Sequence, residues 1–423
     1  MSRFYNFIIE KKEFFKKFLP ISFLKKSKSA LVDFRVNRHR EAPLNKDAFL
    51  ALPRGVNLVG DIRMEIGLGQ SMRLIANALS LSKYPFGIVN APLSVEVRRN
   101  DHSWDYKLQD GAKYGINLFH INPLELGDIY VSMGSDMWKN HYNIGFWLWE
   151  LEDFPADKLS VLKLLDEIWT PSEFTSGCFR KMTDKPVYTV PYYMKAETEP
   201  AFDRAYFHLP EDKFLFLIMF DYNSTMLRKN PMGAIEAYKK AFAPDDPHVG
   251  LVIKINNPTE ECLWVLNEAL EGYTGVYYIL NTLDKPEVNS LIAAVDVFVS
   301  LHRSEGFGLV LAEAMLLGTA CVATDWSSNT EFMNADTACM VPCTLRQIAV
   351  GEGSYPPGAT WAEPDVDAAA GYMKRLKEDA GYYQQITDRA RRDVAKLLGR
   401  EKVVGMMEQR LSEIYALFDR QDS

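Results

Sequence analysis

Apolar residues recur along the chain in two alternating series of strand-like and helix-like runs. The first begins at GVNLVGDI (55–62), passes through the glycine-bearing EIGLGQ (65–70) and enters SMRLIANALSLS (71–82). A short apolar run closed by glycine predicts a strand, and apolar positions recurring every three to four residues predict a helix. Further strand-like runs stand at FGIVN, INLFHIN, DIYVSMG, NIGFWLW, EIWTPS and PVYTVPYY, with helical stretches or loops between several of them. The second series runs KFLFLIMFDYN, helical PMGAIEAYKKAF, HVGLVIKIN, GVYYILN, helical PEVNSLIAAV and DVFVSLH. It continues with helical LVLAEAMLLG, the strand TACVATD and a long helix around residues 401–418. Such alternation implies mainly parallel sheets covered by helices. Two series predict two doubly wound α/β domains that meet near residue 200, within AETEPAFDRAYFHLP (196–210).

The opening MSRFYNFIIEKKEFFKKFLPISFLKKSK reads differently. On a helix, Phe4, Phe7, Ile8, Phe14, Phe15 and Phe18 fall on one side, with Lys12 and Lys16 nearer the other. That pattern suits an interfacial helix on anionic lipid; a helix packed on its own protein and a plain basic tail are the alternatives. Pro20 ends the element, and residues 41–53 read as a linker. The expected organisation is a basic, aromatic extension and linker (1–50), two domains (51–200 and 201–400) and a C-terminal helix (401–423) packing back on the first domain.

Composition narrows the classes. At 423 residues the chain exceeds one ordinary core, and 47% hydrophobic with 25% charged residues excludes wholesale disorder. The net charge is −8, yet residues 1–28 hold eight Lys and Arg against Glu10 and Glu13, a surplus of six that leaves −14 for the remainder. An acidic body disfavours nucleic acid, which is held by basic patches. Five cysteines without a C-x-x-C pair predict reduced thiols and no zinc site. With no apolar run of 18 residues and no signal-peptide pattern, the expected location is cytoplasmic, peripheral on the inner face of the membrane through residues 1–28.

The stretch most loaded with chemistry is SLHRSEGFGLVLAEAMLLGTACVATD (300–325). After an apolar strand, the loop HRSEGFG leads into a helix whose only charged residue is Glu313, stopped by Gly318. An isolated carboxylate on a helix this apolar needs a polar partner. Glu305 stands eight residues earlier, at the helix entrance, where Gly306 and Gly308 leave backbone amides open to an anion. The segment suits a phosphate ester carrying hydroxyl-rich groups; the plainer reading makes Glu305 a solvated loop residue and gives Glu313 a neighbouring Arg or amide.

Glu305-Gly-Phe-Gly-Leu-x-x-x-Glu313, with Ala314, Gly318 and the strand Cys321–Thr324, resembles the E-x7-E signature of family 4 of the retaining glycosyltransferases. The resemblance covers residues 213–345 closely and the rest of 50–418 more loosely. It implies the GT-B fold: α/β, two Rossmann-like doubly wound domains facing across a cleft, here with an N-terminal basic amphipathic helical extension. It also implies that Glu305 contacts donor-sugar hydroxyls, that Glu313 takes the nucleotide ribose, and that amides around Phe307, Gly308 and Leu309 meet the diphosphate.

A cation for that diphosphate is expected after the first strand of the second domain, where FDYNSTMLRKNPMGAIEA supplies Arg228 and Lys229 ahead of a helix that Pro231 can start. The family usually places an Arg about six residues before this Lys, and here that position is Asn223. Lys254 sits at a strand end, where ligands gather in open α/β sheets; a surface lysine is its plainer reading. Trp326 to Phe332 resembles the family's glycine-rich loop facing the donor sugar, with Ser327 and Ser328 as its small residues and Asn329 as a donor-site candidate. In the first domain, Gly67 and Gly69 form a strand-to-helix turn comparable to the family's glycine loop, flanked by the acceptor candidates Arg63, Glu65 and Arg73. His120 resembles a histidine that the family sets beside the transferred sugar, and Asn122 is the alternative for that place. Trp147 and Trp149 read as core, with Glu150, Glu152 and Asp153 after them as cleft candidates.

The resemblance therefore implies a metal-independent, retaining glycosyltransferase with no cofactor. It would move a hexose or deoxyhexose from a nucleoside-diphosphate sugar to a saccharide or lipid-linked acceptor, using Lys229, Arg228, Glu305 and His120. A sugar-nucleotide epimerase, a glycoside phosphorylase or a non-catalytic scaffold would share the fold. Residues for a hydrolase triad or a complete phosphate loop are missing from the sequence.

Overall fold

Most of the apolar strand runs are followed by a polar or glycine turn and a helix or helical turn, a crossover that lets the next strand pair parallel to the last. The computed structural model describes residues 21–38, 44–91, 97–222, 226–351 and 355–419. The aromatic positions Phe4 to Phe18 and their lysines lie outside the described residues, as does Asn223. The chain forms two compact units. The described residues up to Trp149, together with Asp153–Tyr193 and the helix from Arg400, make the first; Glu150–Glu152 and Met194–Gly399 make the second.

The first unit opens with α1 (Ile21–Asn37) and α2 (Lys46–Leu50), followed by β1 (Val56–Gly60), α3 (Gly67–Ser80), β2 (Phe86–Asn90) and β3 (Ile116–Phe119). Then come α4 (Leu126–Met133), β4 (Tyr142–Phe146), β5 (Glu167–Thr170), α5 (Glu173–Arg180) and β6 (Val187–Thr189). All six strands are parallel in the order β2-β1-β3-β4-β5-β6. Val56 faces Phe86 on one side and Ile116 on the other. A buried asparagine ladder ties three strands together: Asn57 donates to Asn117 at 2.9 Å, and Asn117 to Asn143 at 2.9 Å.

DIYVSMG, which reads as a strand, lies in the helix α4. β-Propensity spans only about 1 kcal/mol and yields to packing. Here Gly127 brings α4 against α1, where a Cβ would lie 2.7 Å from Val32, and Lys28 pairs with Asp128 at 3.0 Å. Gly134, at φ 85°, then stops the helix.

The C-terminal helix, Arg400–Asp419, belongs to this first unit. Its Arg410 grips the fully buried Glu167 with two hydrogen bonds of 2.9 and 2.6 Å, and the Tyr415 hydroxyl accepts from the Gly55 amide at 2.9 Å.

In the second unit β7 (Phe214–Asp221) precedes a helical turn (Met226–Lys229) and α6 (Pro231–Ala241), then β8 (Val249–Asn256), α7 (Glu260–Ala269) and β9 (Val276–Ile279). It continues through α8 (Lys285–Ala294), β10 (Val297–Ser300), α9 (Leu309–Leu317), β11 (Ala320–Thr324) and β12 (Cys339–Val341). An antiparallel hairpin, β13 (Cys343–Gln347) with β14 (Thr360–Pro364), leads to α10 (Val366–Glu378) and α11 (Ala380–Leu397). The parallel strand order is β9-β8-β7-β10-β11-β12. Phe216, Leu251, Ile253, Val299 and Val322 fill the core between the sheet and helices that include α6 and α10.

Both orders are doubly wound. The chain steps outward from β1 to β2, or from β7 through β9, and returns to the other side of its starting strand. The breaks lie between β1 and β3 and between β7 and β10, and ligands gather at the carboxyl ends of strands beside such breaks. No described helix is long and apolar enough to cross a membrane.

Candidate functional site

Two segments leave the carboxyl ends of β7 and β10 on either side of the second unit's break. The first ends in Arg228 and Lys229, followed by Asn230 in the left-handed region at φ 49°, whose side chain caps α6 by accepting from Gly233 at 3.2 Å. Pro231 takes the first helical position, where its missing N–H costs nothing. The second is the loop from Leu301 to Phe307, ending at Gly308. One backbone and one side-chain bond sew them together: the Arg303 amide donates to Arg228 O at 2.8 Å, and the Asn230 side chain donates to Leu301 O at 2.9 Å.

Between them lies Glu305. Its Oε1 is 2.5 Å from Lys229 Nζ and 3.2 Å from Arg228, whose guanidinium also donates to Ser304 O at 2.8 Å. Burial alone would raise the Glu305 pKa, but Lys229 and Arg228 outweigh it and hold the carboxyl at about 2. Burial likewise opposes the charge of Arg228, while Tyr355, Glu305 and Glu150 overcome it and raise its pKa. Two cations thus share one ionised carboxylate, with Glu150 acting on Arg228 as well.

The cluster has a supporting frame. The Glu305 amide donates to Ser327 Oγ at 2.9 Å, from a residue held at φ 73° and ψ −155°, a region that side chains rarely enter. Arg303 donates twice to Glu363 of β14, at 3.0 and 2.8 Å, and to Leu227 O at 2.5 Å, which pins the hairpin to the cation turn. His302 is fully buried and burial lowers its pKa. Its Nε2 donates to Asn329 Oδ1 at 3.0 Å, since an amide oxygen only accepts, and Nδ1 accepts from the Ser300 hydroxyl at 3.0 Å. Asn329 in turn donates to Thr324 O at 3.0 Å, so it lies in the floor beneath this loop.

Helix α9 begins next to Glu305. Gly308 precedes it at φ 93°, a conformation glycine accepts freely, and offers no capping side chain to the first amides. Phe307 is buried against Phe332, and Leu309 is the first helical residue. Glu313 points from the same helix with its side chain 3% exposed, and Lys285 Nζ lies 2.5 Å from its Oε1. Lys254, on β8, is 1% exposed and donates to Asn256 at 2.5 Å; burial lowers its pKa to about 8, against the pull of Asp221 and Glu287.

The structure thus brings Arg228, Lys229 and Glu305 into direct contact, and sets Phe307, Gly308, Leu309 and Asn329 around them. Glu313 stands one helix-length on with a different partner. His302, Arg303 and Lys285 drew no notice in the sequence. His302 has a legible signal, since it stands two residues past a strand end; Arg303 and Lys285 resemble any surface cation until their partners are known.

Gly67, Gly69 and His120 belong to the first unit. Gly67 opens α3 and a Cβ there would meet nothing, whereas a Cβ on Gly69 would come within 2.0 Å of Met64 O. Gly69 serves close packing, and Gly67 is the glycine that leaves space. His120 follows β3 with its ring 1% exposed. Its Nδ1 donates to Phe146 O at 3.1 Å, and its Nε2 lies 2.6 Å from Ser71 Oγ, whose hydroxyl also reaches Leu68 O at 2.9 Å. Burial lowers its pKa to about 4, so the imidazole is neutral. Arg73 donates to Ile62 O and Met64 O and lies 3.0 Å from Asp101, while Arg63 grips Asp105 and Glu65 pairs with Arg98. The flanking charges are satisfied within their own unit. Among the described residues, no group of three or more His, Cys, Asp or Glu is placed to hold a metal.

Residues 203–393 match the family model described as glycosyl transferases group 1. No curated protein matches the chain. Among solved structures it is similar to the Anabaena protein HepE in complex with UDP and glucose, at 12% identity and a TM-score of 0.63, covering 85% of this chain and all of that one. It is also similar to sucrose-phosphate synthase from Thermosynechococcus elongatus, at 15% identity and a TM-score of 0.61, covering 86% and 100%. A third, a glycosyltransferase from Rickettsia africae, has 12% identity and a TM-score of 0.58, covering 87% and 100%. The fold is GT-B, built from two Rossmann-like units.

Proposed function

We propose that the protein is a retaining glycosyltransferase that moves a hexose or deoxyhexose from a nucleoside-diphosphate sugar to a saccharide or lipid-linked acceptor. The observation that carries this reading is the cluster of Arg228, Lys229 and Glu305 at the sheet break, inside the segment that matches group 1 glycosyl transferases. HepE, which shares the fold, is described in complex with UDP-glucose.

The chemistry follows from charge. Breaking the bond between sugar and diphosphate builds negative charge on the leaving group, and fixed cations lower that barrier most when they are already in place. Lys229 has three donors, so it can hold Glu305 and a phosphate oxygen together. Arg228 is locked by Ser304 and Glu305 and needs no reorganisation. Glu305 stays ionised at any physiological pH and accepts hydrogen bonds from sugar hydroxyls. The first amides of α9 and the buried Lys254 add positive potential for the diphosphate, and Glu313 takes the ribose. With these groups carrying the charge, the proposed reaction uses no metal and no cofactor. On the acceptor side, His120 fixes Ser71 and with it the first turn of α3, where Gly67 leaves room for a ligand. Residues 1–28 would hold the protein at an anionic membrane surface, in the assembly of a surface glycan or polysaccharide.

The test starts with a thermal-shift panel of UDP, GDP, dTDP and ADP, with magnesium and with EDTA, because a ligand that selects the native state raises its apparent stability. The selected sugar nucleotide is then incubated with saccharide and lipid-linked acceptors. Acceptor-dependent release of the diphosphate in EDTA, and an NMR-defined product with the donor's anomeric configuration, are the expected results. Diphosphate binding without acceptor-dependent turnover points to an epimerase or a scaffold. Co-sedimentation with phosphatidylglycerol vesicles, lost when residues 1–28 are removed, checks the membrane role.

A further inference from the structure

Lys285 stands where helix chemistry does not favour it. It is the first residue of α8, directly after Asp284, whose capping box with Glu287 already closes that helix end. A cation there meets the positive end of the helix dipole. Its side chain is nonetheless 31% exposed, turned towards Glu313 on the next helix. Glu313 is the only ionisable residue of α9, and Lys285 is its one ionic partner among the described residues. A buried carboxylate on so apolar a helix needs a polar partner, and the Lys285 ammonium is within ion-pair distance.

We propose that Lys285 is a positioning residue for the nucleotide, acting through Glu313 to select ribonucleotides over deoxyribonucleotides. The inference rests on the donor reading above, in which Glu313 takes the ribose. The ammonium lies on Oε1, which leaves Oε2 as an acceptor for the vicinal ribose hydroxyls; an ionised carboxylate accepts at both oxygens and donates at neither. Without the ammonium, the carboxylate loses the contact that fixes its orientation and decides which oxygen is left for the hydroxyls. A site built to hydrogen-bond a hydroxyl rejects an analogue lacking it, because the buried acceptor is left unpaired.

The experiment measures, by calorimetry, the affinity of whichever of UDP, GDP and ADP binds best, and of its 2′-deoxy counterpart. It uses wild type, Lys285→Met, Lys285→Arg and Glu313→Gln. Wild type should favour the ribonucleotide about tenfold or more, the size of a hydrogen bond to a charged group. Lys285→Met and Glu313→Gln should bring the ratio to about threefold or less, and Lys285→Arg should restore it. A purely structural ion pair would shift both affinities together and leave their ratio alone. Lys285→Gln supplies the same ratio should the methionine variant not fold. Retention of the wild-type ratio in Lys285→Met, with its collapse in Glu313→Gln, overturns this inference and leaves the donor reading standing. Binding of dTDP alone, or no discrimination by wild type, overturns this inference and leaves the donor reading standing, whereas no binding of UDP, GDP, dTDP or ADP overturns both.

Discussion

At the break between β7 and β10, two cations and a carboxylate share a single oxygen and stay charged; at the break between β1 and β3, a neutral histidine and a serine close on each other. Both places are carboxyl ends of parallel strands at a change of winding direction. The difference lies in what the following loops carry. The second unit sends Arg228, Lys229 and Glu305 inward, with both cations on one carboxylate oxygen. The first turns Arg63, Arg73 and Glu65 into pairs with Asp105, Asp101 and Arg98, which leaves the break itself electrically quiet. A shared topology supplies a place for a ligand, and the charges gathered there decide what kind of ligand it suits.

The largest test of that contrast is removal of the charge. Lys229→Ala and Glu305→Ala should each lower turnover about 10²–10³-fold, the range for losing one preorganised stabilising group. Near-wild-type turnover in folded variants would sink the assignment. At the quiet break the loss should fall on stability instead. His120→Ala and Gly69→Ala should cost about 2–4 kcal/mol in denaturant unfolding, through a buried cavity, lost hydrogen bonds and crowding against Met64 O. Turnover in the folded fraction of these two variants should change by less than about threefold, and Gly67→Ala, whose Cβ meets open space, should leave stability unchanged.

A smaller effect separates the two places by pH. The His120 pKa is about 4 when folded against 6.5 ordinarily, so from pH 6.5 down to 4 the unfolded chain binds a proton that the folded chain refuses, and stability falls. Glu305 sits at about 2 against 4.5, so its contribution is complete above pH 4.5 and is lost as pH falls towards 2. Denaturation curves of wild type against His120→Gln should diverge in the upper window, and against Glu305→Gln in the lower one. Coincident windows would mean the two groups do not differ as described. The smallest change is Ser327→Gly, which relieves a strained backbone and deletes the acceptor of the Glu305 amide. We expect unchanged or slightly raised thermal stability with a turnover loss of about threefold, by kinetics and calorimetry on the same sample.

Alternation of apolar strands and amphipathic helices made the doubly wound fold legible from the sequence, because strand and helix periods are local. DIYVSMG was not, since its helix depends on α1 meeting Gly127. Nor was the strand order of the first sheet, which places β1 between β2 and β3, or the Asn57–Asn117–Asn143 ladder, whose members read singly as polar interruptions. Glu305 and Lys229 each stand out beside a helix start. Their contact joins residues 76 positions apart, and only the closing of the sheet reveals it. Arg303 and Lys285 show the limit: a cation's role lies in its partner, and the partner comes from another element.

The helix from Arg400 to Asp419 has a consequence for how the protein is made. Glu167 is wholly buried, and the arginine that balances it lies 243 residues further along the chain. Until that helix is made, the first unit lacks both the arginine that meets Glu167 and the hydroxyl that accepts from Gly55. The second half can settle meanwhile. Birth order and completion order are reversed, and a gene fragment ending near residue 399 should express a sound second unit beside a first unit that never closes.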